Sequence, residues 1–336
     1  MKELLKVENL RVSFPTYAGR VRAVRGVGFS LAEGETLAMV GESGCGKTVT
    51  AKALMRLTER GGGVVEPGSV ICYQGREITA MKRKELNQIR GKEISMIFQD
   101  SMTSLNPTMT IGKQIAENIR THETCSSREA MARAEDLLKL VEIPDASKRL
   151  CQYPHQLSGG MRQRAMIAIA LACSPRILIA DEPTTALDVT IQAQLLDLLG
   201  DLKKRLHMSM ILVTHDLGVV ADCADRVQVM YAGTVLERGS VEDIFYRPAH
   251  PYTWALLKSV PGQNMGSKSE LYSLKGTPPD LMLPLDCCPF AARCEYCMPV
   301  CRKAAPKETS VGEGHEAACW LTHEYAPRVC FAKEGD

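Results

Sequence analysis

The chain has 336 residues, of which 45% are hydrophobic and 24% are charged, and its formal net charge is +2. This composition is typical of a globular protein with room for a core domain and a second module. The near-neutral charge gives no electrostatic case for binding nucleic acid or anionic lipid. The first residues carry charges where a signal peptide needs an apolar stretch, and the longest apolar segment, Ala165 to Cys173, is about half a membrane span. We therefore expect a cytosolic protein whose membrane role, if any, comes through a partner.

Two segments with alternating apolar residues open the chain. They are Leu4 to Phe14 and Ala23 to Leu31, and they predict a pair of strands. The turn between them carries Tyr17. Its ring can stack on an adenine or pack against neighbouring side chains, and the sequence favours neither interpretation.

A phosphate-binding loop follows the next predicted strand, Thr36 to Val40. The sequence from Gly41 to Thr48 matches the P-loop pattern G-x-x-x-x-G-K-T and leads into a helix over Val49 to Met55. Glycines let backbone N–H groups converge on phosphates, and the N-terminus of the helix favours an anion. Lys47 supplies a charge to the β- and γ-phosphates, and the hydroxyl of Thr48 can bind Mg²⁺. The candidate ATP-binding residues of this segment are Gly41, Ser43, Gly44, Cys45, Gly46, Lys47, Thr48 and Val49.

The middle of the chain alternates between strand and helix patterns. We predict a strand at Ser69 to Tyr73, a helix at Met81 to Ile89, and a buried strand at Glu93 to Phe98 that ends at Gln99. A polar residue in that position lies beside the phosphate site in doubly wound folds. Isoleucines and other apolar residues then recur every four residues, which predicts an all-helical insertion over about 100–170.

A second group of candidate residues follows this insertion. Leu157, Ser158, Gly159, Gly160 and Met161 open a helix in which Ser158 is a candidate N-cap. The apolar run from Ile177 predicts a buried strand that ends in two carboxylates. Asp181 can hold Mg²⁺, and Glu182 can deprotonate a water that attacks the γ-phosphate. Asp188 lies before the next helix, and His215 ends one more strand as a candidate γ-phosphate contact.

Seven of the thirteen cysteines lie between Cys287 and Cys330. In a reducing compartment such a cluster favours metal binding over disulfides. The spacing of Cys294 and Cys297 is one that zinc favours, but no second such pair follows. An iron–sulfur cluster needs four thiolates and tolerates irregular spacing.

Together, these motifs resemble ATP-binding cassette (ABC) ATPases over about residues 4–260. More narrowly, the chain resembles the ATP-binding subunits of bacterial dipeptide and oligopeptide importers. The residues that carry the narrower resemblance are Tyr153-Pro154-His155-Gln156, Met161-Arg162-Gln163-Arg164 and His250-Pro251-Tyr252-Thr253. Met161 departs from the glutamine of the general cassette signature, as it does in the narrower group.

The resemblance implies a P-loop ABC fold: a RecA-like core with an antiparallel β subdomain and a helical subdomain, followed by a small cysteine-rich extension. The implied boundaries are 1–240 for the cassette and 241–336 for the extension. It also implies that two cassettes pair head to tail and sandwich two ATP molecules with Mg²⁺. Lys47 and Thr48 then act on one nucleotide, and Leu157 to Met161 close over the partner's. Glu182 is the general base, His215 senses the γ-phosphate, Asp188 lies in the D-loop, and Thr48, Gln99 and Asp181 surround Mg²⁺.

The implied partners are a second cassette, usually a paralogue, two membrane permease subunits and, indirectly, an extracytoplasmic binding protein. This places the chain on the cytoplasmic face of the membrane. The substrate, a peptide by resemblance, is not fixed by the sequence, and nickel or another solute stays open. A soluble cassette ATPase acting on nucleic acid or ribosomes is the alternative, although such proteins usually have two cassettes or a long coiled coil. The resemblance assigns a [4Fe–4S] cluster to Cys288, Cys294, Cys301 and Cys319, and leaves Cys287, Cys297 and Cys330 without a role.

Overall fold

The structure is a computed structural model and describes residues 2–185, 188–259 and 274–329. The strands are β1 (Glu3–Thr16), β2 (Gly19–Ala32), β3 (Thr36–Val40), β4 (Val64–Val65), β5 (Val70–Tyr73), β6 (Arg76–Glu77), β7 (Ile94–Ile97), β8 (Ile177–Asp181), β9 (Ser209–Thr214), β10 (Arg226–Tyr231), β11 (Thr234–Ser240), β12 (Thr309–Gly312) and β13 (His315–Ala317).

The helices are α1 (Lys47–Leu54), α2 (Arg83–Ile89), α3 (Ser101–Ser104), α4 (Ile111–His122), α5 (Ser127–Leu140), α6 (Ala146–Arg149), α7 (Gly159–Leu171), α8 (Val189–Leu206), α9 (Leu217–Cys223), α10 (Val241–Tyr246) and α11 (Pro251–Lys258). Short 3₁₀ turns occur at Thr58–Gly61, Ile78–Ala80, Pro154–Gln156, Pro299–Arg302 and Trp320–Thr322. The chain divides into two compact units, each built from several stretches of sequence, and one of the boundaries between stretches falls within β9, after Leu212.

The first unit is built mainly from Ala80–Leu212, with Ala32–Glu35. In it β7 and β8 run parallel, with Ile94 opposite Ile177 and Ile97 opposite Ala180. Every residue of both strands is buried, which explains why their sequences are continuous apolar runs. The predicted strand from Ile177 ends at Asp181 because Glu182 takes a left-handed backbone conformation, with φ of 46°.

Helices fill the stretch between β7 and β8, as the sequence predicted. The fully buried positions of α4 are four residues apart, at Ile111, Ile115 and Ile119, as expected for one face of a helix. α5 begins with a capping box, in which the Ser126 hydroxyl accepts a hydrogen bond from the backbone N–H of Glu129, and the Glu129 carboxylate accepts one from the backbone N–H of Ser126. α5 and α7 both pack on α4.

The second unit comprises Glu3–Leu31, Thr36–Thr79 and the chain from Val213 onward. One of its sheets has the strand order β2-β1-β5-β6, with β4 also paired to β1, and is antiparallel where β1 meets β4 and β5. The predicted pairing of the first two strands is therefore confirmed. β10 and β11 form a hairpin, and its turn residues, Ala232 and Gly233, both have positive φ.

The C-terminal segment continues a sheet of the second unit. β13 pairs antiparallel with β11 through Glu237 and Ala317, and β12 pairs with β13. Apolar residues from this segment, including Phe290, join the buried cluster formed around Val229, Tyr231 and Tyr252. The segment therefore shares a core with the strands that precede it, which its sequence did not predict.

Candidate active site

The P-loop is held between a buried strand and the start of α1. All five residues of β3 are buried, and Gly41 follows it with φ of 149°. A Cβ atom at Gly41 would overlap the carbonyl oxygen of Met230, and one at Gly46 would overlap that of Ala23. Glycine is therefore required at both positions by the close approach of neighbouring backbone.

Lys47 is buried and folded back onto its own loop. Its Nζ donates hydrogen bonds to the carbonyl oxygens of Gly41 at 2.6 Å and Glu42 at 3.0 Å, and lies 3.8 Å from the sulfur of Cys45. The ammonium is thus kept in the loop by acceptors that a phosphate oxygen can replace. Burial raises the pKa of the Cys45 thiol despite the nearby lysine, so this cysteine stays protonated at neutral pH.

Glu42, which the P-loop pattern leaves unspecified, has two further partners. Its backbone N–H donates to the hydroxyl of Tyr252 at 2.8 Å. Its carboxylate accepts two hydrogen bonds from the guanidinium of Arg293. Tyr252 belongs to a motif noted in the sequence, but the sequence alone assigned no role at the P-loop to Tyr252 or to Arg293.

The carboxylates predicted for catalysis lie at the end of β8 in the first unit. Asp181 is 1% exposed, and Glu182 directly follows it. The side-chain amide of Gln99 donates to the Glu182 carboxylate at 2.8 Å, and the hydroxyl of Thr185 donates to the same oxygen at 3.0 Å. The structure thus brings together Gln99 and Glu182, and one oxygen of the Glu182 carboxylate accepts hydrogen bonds from both Gln99 and Thr185.

The predicted signature begins a helix, as expected. The hydroxyl of Ser158 accepts a hydrogen bond from the backbone N–H of Met161 at 3.3 Å, which caps α7. Leu157 is buried before it, and Gly159 and Gly160 form the first turn, where backbone N–H groups lack partners within the helix. Asp188 caps α8 in the same way by accepting from Ile191 at 3.0 Å.

Two predicted contacts lie in the second unit with the P-loop. His215 directly follows β9 and is exposed. Tyr17, at the turn between β1 and β2, is fully exposed, so its ring packs against no core. Its predicted stacking on adenine stays a prediction.

The four predicted cluster cysteines lie close enough to affect one another. Cys288, Cys301 and Cys319 are buried, and the backbone N–H of Cys288 donates to the carbonyl of Cys301 at 2.9 Å. Burial raises the pKa of Cys288 and Cys319 to about 12 and that of Cys294 to about 11, with smaller upward effects from the neighbouring thiols.

Within the described residues, no three His, Cys, Asp or Glu side chains are set at positions that hold a metal ion. The thiols are thus of the right type and near one another, without a formed metal geometry. Burial raises the pKa of Cys301, the neighbouring Cys297 raises it further, and Cys330 lies outside the described residues. In the described part of the chain, the helices are all too short or too polar to cross a membrane.

Comparison with known proteins decides the family. The sequence profile of ABC transporters matches residues 24–185, and that of the oligopeptide/dipeptide transporter C-terminal region matches residues 236–301. The chain is 52% identical to the oligopeptide transport ATP-binding protein OppD of Bacillus subtilis, over 97% of this chain and 91% of that protein. The chain belongs to the ABC transporter family. Within it, the chain is a member of the ATP-binding subunits of oligopeptide and dipeptide importers.

Other members of this ABC family show the same likeness. The dipeptide transport ATP-binding protein DppD of Bacillus subtilis is 52% identical over 99% of this chain and 98% of that protein. Among solved structures, a dimer of the ATP-binding cassette MJ0796 in a post-hydrolysis state with ADP and phosphate is 26% identical, with a TM-score of 0.63, and covers 71% of this chain and 99% of that one. The chain therefore has the predicted ABC ATPase fold and is an ATPase of this family.

Proposed function

We propose that the chain is the ATP-binding and ATP-hydrolysing subunit of an importer that carries dipeptides or oligopeptides across the cytoplasmic membrane. The observation that carries the proposal is the identity of about half of all residues, over nearly the whole chain, with ATP-binding proteins named for dipeptide and oligopeptide transport. The P-loop and the carboxylates at the end of β8 supply the residue types that ATP hydrolysis needs.

We assign the following roles at this site. Lys47 leaves its carbonyl acceptors and binds the β- and γ-phosphates, while the backbone N–H groups from Gly41 to Val49 surround them. Glu182 takes a proton from the attacking water, and Gln99 orients its carboxylate. Thr48, Gln99 and Asp181 offer the oxygen donors that Mg²⁺ prefers. Mg²⁺ supplies charge neutralisation between the β- and γ-phosphates when bound.

The remaining predicted site residues act around the nucleotide. His215 binds the γ-phosphate, and Tyr17 stacks on the adenine. Ser158 and Gly160, at the start of α7, bind the nucleotide held by a second cassette, and Asp188 lies beside that interface. Each of the two ATP sites is then completed only when two cassettes pair. We retain the boundary of the cassette at residue 240, where β11 ends, and the helical subdomain over about 100–170.

The assembly we propose contains a second cassette, two membrane permease subunits and an extracytoplasmic binding protein that reaches this chain only through the permease. The chain then lies on the cytoplasmic face of the membrane. The test is uptake of labelled dipeptide by vesicles that contain the assembled transporter, with ATP supplied on the cassette side. ATP-dependent dipeptide uptake supports the proposal. Uptake of labelled nickel without peptide uptake would assign the other substrate, and nucleotide hydrolysis unaffected by the permease would favour a soluble ATPase.

We further propose that Cys288, Cys294, Cys301 and Cys319 hold a [4Fe–4S] cluster. Three of these thiols are buried, and the thiols of Cys288, Cys294 and Cys301 all lie near enough to Cys319 to raise its pKa beyond the effect of burial, which supports a shared ligand. Such a cluster is bound by four cysteine thiolates and would tie the C-terminal segment together. Anaerobic purification should give brown protein with about four irons per chain. Colourless protein with one zinc ion per chain would favour a structural zinc site instead. Loss of metal in Cys297→Ser with retention in Cys301→Ser would change the ligand set.

A further inference from the structure

Arg293 makes five hydrogen bonds with its side chain. Its Nη1 and Nη2 donate to the two carboxylate oxygens of Glu42 at 2.6 and 2.9 Å, so the pairing is bidentate. The remaining donors reach the hydroxyl of Tyr231 and the carbonyl oxygens of Leu274 and Lys275, at 3.0–3.2 Å. A guanidinium has five N–H groups, so its full donor capacity is used. The side chain is 5% exposed, and that of Glu42 is 27% exposed.

Glu42 is in turn fixed at three points within the P-loop. Its carboxylate is bound by Arg293, its backbone N–H donates to Tyr252, and its carbonyl oxygen accepts from Lys47. The last contact matters because Lys47 is the charge that we assign to the phosphates. Any movement of Glu42 therefore moves an atom that holds Lys47, and two of its three supports come from residues beyond position 250.

The segment that carries Arg293 packs against a buried aromatic cluster. Phe290 lies three residues before it, and its ring contacts those of Tyr231, Tyr252 and His250 with centroid separations of 5.3–5.9 Å. Cys288 and Cys294, two of the proposed cluster ligands, enclose this stretch of chain. The position of the guanidinium is thus set by the aromatic cluster on one side and by the cysteine-bearing segment on the other.

The ion pair between Glu42 and Arg293 also affects the electrostatics of the P-loop. A carboxylate in the P-loop lies close to where the phosphates of ATP bind, and an unpaired negative charge there repels them. Arg293 cancels this charge in a setting that is largely removed from solvent, where charge-assisted, bidentate hydrogen bonds are strong. A guanidinium is charged at every physiological pH, so Arg293 keeps this partnership over the whole range in which the protein works.

We propose that Arg293 is a positioning residue for the ATP site. It neutralises and fixes Glu42, and through this contact the cysteine-bearing segment sets the affinity of the P-loop for ATP. The inference rests on the proposed role of the P-loop in binding ATP. It adds that a residue 251 positions away in the sequence controls that binding.

The test is a double-mutant cycle on the full chain, read as the Kd of a fluorescent ATP analogue. In Arg293→Gln the Glu42 carboxylate loses its partner, and we expect Kd to rise about tenfold, within the usual range for coupling between two sites. In Glu42→Gln no unpaired negative charge is left, so the expected rise is smaller. The double variant should bind more tightly than Arg293→Gln alone. Arg302→Gln, an exposed arginine of the same segment, is the matched control and should bind like wild type.

Two further measurements separate positioning from a general loss of structure. In the assembled transporter, Arg293→Gln should raise the KM for ATP and leave kcat near the wild-type value. If Arg293→Gln does not fold, Arg293→Lys keeps the charge without the two-pronged contact, and a Kd rise of about threefold is expected. Wild-type affinity in both Arg293→Gln and Arg293→Lys would overturn the inference. Equal losses of affinity in Arg293→Gln and in the double variant would also overturn it. Failure of the wild-type chain to bind the analogue would instead refute the proposed ATP site.

Discussion

Gln99 and Glu182 are joined by a hydrogen bond of 2.8 Å between the side-chain amide of one and the carboxylate of the other. Their meeting follows from the register of two parallel strands. Ile97 is opposite Ala180 in the pair formed by β7 and β8, and Gln99 and Glu182 each lie two residues further along the chain, just beyond the strand ends. The pairing of these strands therefore places the amide of Gln99 beside Glu182, the residue that we assign as the base for the attacking water.

Replacing Glu182 with Gln should remove the base and leave the binding of ATP intact. We expect turnover in the assembled transporter to fall by roughly 10²-fold or more, the usual size of a lost general base. The Kd for ATP should stay within about twofold of wild type. Glu142→Gln, at an exposed carboxylate of the same unit, is the control and should hydrolyse ATP at the wild-type rate. Near-normal turnover in Glu182→Gln would mean that another residue is the base.

Replacing Lys47 with Ala should act on binding. The change removes the ammonium that the P-loop carbonyls hold in place, and hydrogen bonds from a charged group contribute enough to raise Kd by about tenfold or more. Lys52→Ala, in the last turn of the same helix, is the matched control. Equilibrium titration with an ATP analogue measures both. Equal affinities in the two variants would contradict the assigned role of Lys47.

Local patterns in the sequence predicted the parts of the site that depend on local structure. The P-loop glycines, the cap at Ser158 and the apolar run before Asp181 each lie within a few residues of the feature they specify. The four-residue spacing of Ile111, Ile115 and Ile119 likewise fixed the buried face of α4. Such features arise from backbone conformation and periodicity, which a single sequence carries directly.

Contacts between distant segments were not predictable in this way. Glu42 and Arg293 pair across 251 positions, and no periodicity links them. The pairing of β11 with β13 was not predictable either. Alternation of apolar residues indicates which side chains share one face of a strand, but it does not indicate which strand lies next to it. The P-loop pattern gave no sign that Glu42 has a role, since its position in the pattern accepts any residue type. Its importance arises only from what the fold brings against it.

His250 provides a prediction about the pH dependence of stability. Its ring is buried, and its Nδ1 accepts a hydrogen bond from the backbone N–H of Tyr252, which caps α11. Burial lowers the pKa of His250 to about 3, whereas the unfolded chain keeps the ordinary value near 6.5. Below pH 6.5 the unfolded state therefore binds a proton that the folded state does not, so the free energy of unfolding falls as the pH falls towards 3.

Between pH 7.5 and pH 5, this residue should cost about 2 kcal/mol of stability. His250→Asn is the matched variant, since the asparagine oxygen can cap the helix but does not titrate. Urea unfolding of both proteins at the two pH values measures the effect. The wild type should lose about 2 kcal/mol more than the variant over this range. Equal losses of stability in the wild type and the variant between pH 7.5 and pH 5 would show that His250 also takes up a proton in the folded protein.

The last prediction concerns the reactivity of the cysteines in metal-free protein. A thiol reacts as its thiolate, so a raised pKa slows alkylation at neutral pH. Burial raises the pKa of Cys288 and Cys319 to about 12, whereas Cys151 is exposed. After iodoacetamide treatment at pH 7.5, mass spectrometry should find Cys151 modified and Cys288 and Cys319 protected. In guanidinium chloride all three should react at similar rates. Labelling of Cys288 as fast as Cys151 in the folded chain would show that its thiol is accessible and ionised, which would contradict its burial.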